Sequence, residues 1–338
     1  MKETTNILHP FIKYPGGKSK EAPLVFRYMP KQVSRYVEPF VGGGSIYFAL
    51  GIHPSLINDK SKDLYLLYSL IKNQDNGFRK YLVEMDQLWL DIENDDFLSA
   101  IKNYSFIPQD RFLKYYQSSL KRKDAAIKKF ETNGIFVSDK DKVETEITAR
   151  KTAVYMIIRD IYNSHTNNDK LHLASFYFLR EYCYSSMFRF SAKGDFNVPY
   201  GGMSYNGKRM TNKINYMFSD VVKSFMKDTV IGNDDFAVFM DKMKLTDSDF
   251  VFLDPPYDSD FSTYDNNPFD KKEQIRLRDY LAKTPAKWML IIKKTDFIFD
   301  LYKGFNVFEY DMNYMVSFKN RNDRDVKHLL ITNYKLEV

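Results

Sequence analysis

Short apolar runs near both ends of this chain bracket a long central stretch whose apolar residues recur at helical spacing. Arg35-Tyr36-Val37-Glu38 is short and β-prone, and Pro39-Phe40-Val41-Gly42-Gly43-Gly44 reads as a turn. Ser45 to Leu50 (SIYFAL) then starts a helix with Ser45 in the N-cap position. Leu56-Ile57-Asn58-Asp59 reads as a second strand with its acidic residue at the C-terminal end. This is a βαβ-like unit, the opening of a doubly wound sheet. Strand signals return at Phe250–Leu253, Trp288–Ile292, Phe305–Tyr310 and Lys327–Thr332, with a helix over about 271–283.

From about 62 to 190 the period is helical. Leu64, Leu67, Tyr68 and Ile71 share one face, as do Ala153, Met156, Ile157 and Ile161. The stretch 118–150 is charged and poor in large apolar residues, as in an exposed helical insert or a mobile loop. Gly194 to Gly207 is rich in Gly, Asn and aromatics and reads as a loop or hairpin. The expected organisation is α/β: a sheet domain built from 1–61 and 215–338, interrupted by a mainly helical domain over 62–214 with a hairpin or loop near 184–210.

Composition narrows this picture modestly. The 338 residues suffice for a core without covalent staples. A single cysteine, Cys183, rules out an intramolecular disulfide and fits a reducing compartment. The first residues lack a signal-peptide run, and no window approaches the roughly 20 apolar residues of a membrane span. A cytoplasmic protein is expected. The net charge of +6 is too small to establish a polyanion partner. Its clustering says more, with Lys121, Arg122, Lys123, Lys128 and Lys129 together, and Lys208, Arg209 and Lys213 together. The 28 Phe and 25 Tyr either stack on bases between phosphate-binding cations or reflect an AT-rich bacterial or phage composition.

The candidate chemistry begins at Asp254-Pro255-Pro256-Tyr257, directly after the apolar run Phe250–Leu253. Two prolines stiffen the chain and hold its carbonyls in set directions. Such a turn suits a pocket that holds a ring amine between the Asp254 carboxylate and the Pro255 carbonyl while Tyr257 stacks on the ring. The glycines Gly42-Gly43-Gly44 let backbone approach a ligand and present N–H groups, although the G-x-G-x-x-G fingerprint is incomplete. Alone they are a tight turn. With Asp59 following, where a carboxylate can accept two ribose hydroxyls, they favour a nucleoside-containing ligand. Tyr14-Pro15-Gly16-Gly17-Lys18-Ser19 is not a P-loop, because Ile12 stands where the first glycine must be. Lys18 is either a partner for a small carboxylate or a solvated lysine. His9, His53, His165, His172 and His328 show no metal-ligand spacing, and neither a zinc site nor a Ser-His-Asp arrangement is expected.

Five motifs occur in one order: Lys13-Tyr14-Pro15-Gly16-Gly17-Lys18, Glu38-Pro39-Phe40-Val41-Gly42-Gly43-Gly44, Asn58-Asp59, Phe196-Asn197-Val198-Pro199-Tyr200-Gly201 and Asp254-Pro255-Pro256-Tyr257. In this the chain resembles the Dam-like (class alpha, D12) DNA adenine-N6 methyltransferases from about 11 to 335. The resemblance implies a Rossmann-like sheet that binds S-adenosylmethionine (AdoMet), with an inserted, mainly helical DNA-recognition domain. It implies catalysis by Asp254, Pro255, Pro256 and Tyr257. Tyr14, Lys18, Glu38, Pro39, Phe40, Gly42, Gly43, Gly44 and Ser45 would bind the cofactor, with Lys18, Phe40 and the glycines lining its methionine end, and Asp59 would take the ribose. Asp235-Phe236 looks like the adenine-edge contact, although Asp235 equally reads as a helix N-cap. Double-stranded DNA is the implied partner, met through Arg189, Lys193, Asn197, Tyr205, Lys208 and Arg209. A cognate restriction endonuclease is a further expected partner. No membrane and no metal are expected.

GATC-type members carry an Asn-Gly-containing hairpin before Phe-Asn-Val-Pro. Here that stretch is Tyr184-Ser185-Ser186-Met187-Phe188-Arg189-Phe190-Ser191. Arg189 keeps its type and either reads guanine O6 and N7 or contacts a phosphate or a surface acid. A target other than GATC is expected. Lys293-Lys294-Thr295 replaces a more polar segment of relatives. The rival readings are an inactive sequence-specific DNA-binding regulator and a methyltransferase acting on RNA adenine or cytosine N4. Asp254, rather than Ser or Asn, favours DNA adenine.

Overall fold

The computed structural model describes residues 8–14, 16–164, 167–256, 269–312 and 326–336. The chain divides into two compact units, one of Met1–Pro10, Tyr14–Ser69 and Ser224–Val338, the other of Phe11–Lys13 and Leu70–Lys223.

The first unit is built on a seven-stranded sheet. Its strands are β1 (Arg35–Glu38), β2 (Ser55–Asn58), β3 (Thr229–Gly232), β4 (Asp249–Leu253), β5 (Lys287–Lys293), β6 (Asn306–Met312) and β7 (Val326–Thr332), in the order β3-β2-β1-β4-β5-β7-β6. The first five in sequence run parallel, and β7 pairs antiparallel with both β5 and β6. Register centres on Val37, which lies opposite Leu56 on one side and Val251 on the other. Every residue of β2 and β4 is buried, the pattern of strands covered on both faces. The α/β expectation holds, and the strand ends match the sequence reading to within about two residues. β3 escaped that reading because its four residues alternate poorly and Val230 is exposed.

Ser45 is not a cap. The helix is Ser45–Leu50, and Gly44 occupies the N-cap in the left-handed region at φ 75°. The Ser45 hydroxyl instead accepts from Ser19 at 3.2 Å. Thr295 caps the Asp296–Tyr302 helix through Ile298 N–H, and Lys294 pairs with Glu309, which accounts for the Lys294-Thr295 pair.

The second unit is helical. The charged stretch forms two long helices, Gln109–Thr132 and Asp139–Asn163. They run antiparallel, since Lys142 pairs with Glu131 at 3.0 Å and Tyr115 donates to Asp160 at 2.7 Å. A Ser138/Asp141 capping box starts the second helix. Trp89 is buried among Phe178, Tyr182 and Tyr200. Most of the largest fully buried side chains are aromatic, so the aromatic excess serves the cores of both units. From 183 to 200 the chain folds back on itself through antiparallel bridges Cys183–Tyr200 and Phe190–Phe196. Among the described residues no helix is long and apolar enough to cross a membrane, and no cluster of three or more His, Cys, Asp or Glu is placed to hold a metal.

Candidate active site

The strand order reverses between β1 and β4, since the chain leaves β1 for β2 and β3 on one side and returns as β4 on the other. Ligands of open parallel sheets bind outside the carboxyl ends of the strands at such a switch point. The Gly turn follows β1 and Asp254 follows β4, so the two strongest sequence motifs flank this position.

Asp254 does not stand alone there. The Lys18 ammonium lies 2.7 Å from Oδ1 and 2.8 Å from Oδ2, and it also donates to the Gly16 carbonyl at 2.9 Å. Lys18 is 4 % exposed, so it is neither a solvated lysine nor free to leave without cost. Burial pushes the Asp254 carboxyl above its ordinary range, and the Lys18 charge opposes that rise. Glu38, at the end of β1, is also buried and accepts from the Tyr36 hydroxyl at 2.7 Å. Burial drives its carboxyl well above the usual range, with the Asp254 and Asp59 charges adding to the effect. Pro255 is buried and Pro256 exposed. Tyr257 and Pro15 lie outside the described residues, as does His165.

Asp59 ties the turn after β1 to the end of β2. Its Oδ2 accepts from Gly42 N–H and its Oδ1 from Ser61 N–H, each at 2.9 Å. A carboxylate offers about four lone-pair sites, so capacity for further donors remains. The N–H groups of Val41, Gly42 and Gly44 are used inside the protein, by Asn58 O, Asp59 and Val41 O. At those positions the glycines therefore supply conformation and close approach, not donors. Gly44 needs its φ of 75°, and a Cβ there would sit 2.7 Å from the Tyr68 hydroxyl. That hydroxyl donates to Gly42 O at 3.0 Å, while Tyr14 lies against Gly42, where an added Cβ would meet its ring at 3.4 Å. Asn58 clamps Pro39 O and Asp234 O, both at 3.0 Å.

Asp235 is an N-cap, accepting from Ala237 N–H at 3.0 Å at the start of the Phe236–Met243 helix. It is also held by both terminal nitrogens of Arg276 at 2.9 and 2.5 Å, and this ion pair keeps its carboxyl below the usual range. The Arg276 guanidinium lies 4.1 Å from the Phe236 ring centroid. Phe40 packs against Phe236 and, edge-on, against Phe269, both at 5.5 Å, so the Gly turn and this helix share an aromatic cluster.

The residues expected to meet DNA lie in the second unit. Arg189 is exposed and donates to the Asn197 side chain at 2.8 Å, so these two come together. Lys193 is exposed in the turn closed by Ser191 and Asp195. The Tyr205 ring lies against Gly201, where a Cβ would meet it at 2.4 Å. Lys208 and Arg209, expected at phosphates, are both engaged with acids inside the unit. Lys208 pairs with the buried Glu181 and Arg209 grips the buried Asp86 at 3.0 Å. Those acids come from distant helices, so neighbours in sequence gave no hint of them.

Sequence reasoning missed the Lys18–Asp254 pair, Arg276 and Gln274. Gln274 shares the buried stripe of its helix with Leu277 and Leu281, and a polar residue at that spacing was the available signal. Of the histidines, His328 is buried and driven down to about 4 by burial and the nearby Lys18 and Lys293 charges, so it is neutral at physiological pH.

The D12 class N6 adenine-specific DNA methyltransferase family model matches residues 14–316. The chain is 27% identical to the type II methyltransferase M.CviBI of Paramecium bursaria Chlorella virus NC1A, over 97% of this chain and 100% of that one. It is 29% identical to the type II methyltransferase M.MjaIII of Methanocaldococcus jannaschii, over 96% and 99% respectively. A DNA adenine methylase of Haemophilus influenzae is 21% identical over 82% of this chain and 75% of its own. With its Gly turn and Asp254 at the switch point of the sheet and a family match over most of its length, the chain belongs to the D12 class of N6 adenine-specific DNA methyltransferases.

Proposed function

We propose that this adenine-specific DNA methyltransferase uses AdoMet as its methyl donor and acts on an adenine flipped out of duplex DNA. The observation that carries the reading is the position of Asp254: a half-buried carboxylate paired with Lys18, at the end of β4, beside the Gly turn of β1. The residues present suit a cationic ligand, since Glu38, Asp59 and Asp254 bring three carboxylates to the strand ends that Lys18 shares. Lys18, Phe40 and Gly42–Gly44 would hold the methionine end, walled by Tyr14, Glu38, Pro39 and Ser45. Asp59 would hold the ribose, and Asp235 with Phe236 the adenine. When bound, AdoMet supplies an electrophilic methyl group on a sulfonium sulfur.

The substrate amine is a weak nucleophile because its lone pair is delocalised into the ring. Hydrogen bonds from N6–H to the Asp254 carboxylate and the Pro255 carbonyl localise that lone pair and aim it. Positioning and electrostatics are the chain's contribution, and no covalent intermediate on the protein is needed. Flipping costs a few kcal/mol. Stacking of the base on Tyr257 recovers about 1–3 kcal/mol of it. The helical unit over Leu70–Lys223 serves as the target-recognition domain, with Arg189, Lys193, Asn197 and Tyr205 facing the duplex. Lys208 and Arg209 lock their loop and touch phosphates with whatever charge their acids leave.

The names of the type II relatives support a role in a cytoplasmic restriction-modification system with a cognate endonuclease. The altered 184–191 turn supports a target other than GATC, which single-molecule sequencing of DNA from a methylation-free host expressing the chain reads directly. Asp254→Ala is expected to abolish tritium transfer from labelled AdoMet to duplex DNA while AdoMet binding survives. Retained turnover in that variant refutes the assignment.

A further inference from the structure

We propose that Gln274 is a positioning residue for methyl transfer: its side-chain amide holds the Pro256 carbonyl and so fixes the Asp254-Pro255-Pro256 turn. The inference rests on the reading of Asp254 as the group that accepts the substrate amine.

Gln274 lies on the Lys271–Leu281 helix, in the buried stripe it shares with Leu277 and Leu281, and it is 0 % exposed. Its Nε2 donates to the Pro256 carbonyl at 3.1 Å. A carbonyl only accepts, so this bond settles which end of the amide faces the turn. Oε1 then points the other way, where it is buried without a hydrogen-bond partner among the described residues. Packing alone does not explain an amide here. An apolar side chain would fill the stripe without a stranded acceptor, which always costs stability. What Gln274 offers that Leu or Met lacks is a donor aimed at the turn.

The turn has a particular need for one. Pro255 and Pro256 carry no N–H, so this dipeptide can be anchored by hydrogen bonds only through its carbonyls. The Pro255 carbonyl is the one assigned to the substrate amine, and the Pro256 carbonyl is the next along the chain. The second carbonyl lies in the next peptide plane, which meets the plane of the first at the Pro256 Cα. The ring fixes φ there, so holding the second restricts how the first can turn. The same helix carries Arg276, which grips Asp235 after β3. One rigid element thus braces the turns that follow β3 and β4.

A displacement of about 1 Å in a reacting group can cost on the order of 100-fold in rate. Gln274→Met keeps the volume and removes the donor, and Gln274→Asn keeps the amide but falls one methylene short. Both are expected to lower kcat for tritium transfer by about 10- to 100-fold. AdoMet affinity, measured by calorimetry, should stay within about twofold in both, and the Tm of Gln274→Met should equal or exceed that of the unaltered protein. Wild-type kcat in both variants overturns the proposal. So does a joint fall of kcat, AdoMet affinity and Tm, which marks a merely structural role. An unaltered protein that transfers no methyl group overturns the underlying reading of Asp254 instead, a result distinguishable from either.

Discussion

Replacing Lys18 by Met tests the link between folding and chemistry at the strand ends. The ammonium lies 2.7 Å from Asp254, which at an effective dielectric of 20 is a gross attraction of about 6 kcal/mol. Desolvation of both groups offsets part of that. Removing one partner of a buried pair nevertheless costs about 3–5 kcal/mol, because the other charge is left uncompensated. Asp254 retains 20 % side-chain exposure, so the low end applies, about 3 kcal/mol. For a unit of this size that lowers Tm by about 6–12 °C. The assay is a double-mutant cycle of Lys18→Met and Asp254→Asn, followed by calorimetry and urea unfolding near neutral pH. The double variant should recover most of the loss, because no unpaired charge remains. Additive single effects, or a Lys18→Met loss under about 1 kcal/mol, would refute the reasoning. Without Lys18 the Asp254 carboxyl rises further. Activity should then fall away at a higher pH on the acid side, since the protonated acid is a weaker acceptor for N6–H than the carboxylate.

Two further substitutions probe backbone strain and a buried carboxyl in turn. Ser185 and Ser186 both hold positive φ, 53° and 50°, in the turn before Arg189. Ser186→Gly should raise stability by about 1 kcal/mol in urea unfolding, and an unchanged midpoint would count against strain there. Glu38→Gln should stabilise the protein in a pH-dependent way. The folded-state carboxyl is raised well above its ordinary 4.5, so the wild type is fully stable below that value and loses stability as pH rises through the folded value. The Tm difference in favour of Gln should therefore open from about pH 4.5 upward; a constant difference across pH would show that Glu38 does not titrate as described.

The strands that carry the site were legible because parallel strands buried on both faces read as short apolar runs, as in Phe250–Leu253 and Trp288–Ile292. β3 was not, because an edge strand with an exposed Val230 has no such run. The helical period across 118–150 was weak because the second half of the Gln109–Thr132 helix and the first turns of the Asp139–Asn163 helix keep most of their surface in solvent. What those charges pair with depends on the fold, as Lys142 with Glu131 shows.

By itself the sequence determined the family, the order of its motifs and the residue types proposed to meet the substrate amine and the cofactor. These depend on local chemistry: stiff prolines, permissive glycines and acids at strand ends. The tertiary structure alone decided the partners. Lys18 and Asp254 are 236 residues apart, and only the crossover that sets β4 beside β1 brings them into contact. The same holds for Arg209 with Asp86 and for Gln274 with Pro256. An ion pair or a buried hydrogen bond is a relation between distant positions, and its energy exists only once burial has removed the water that would otherwise compete for each group.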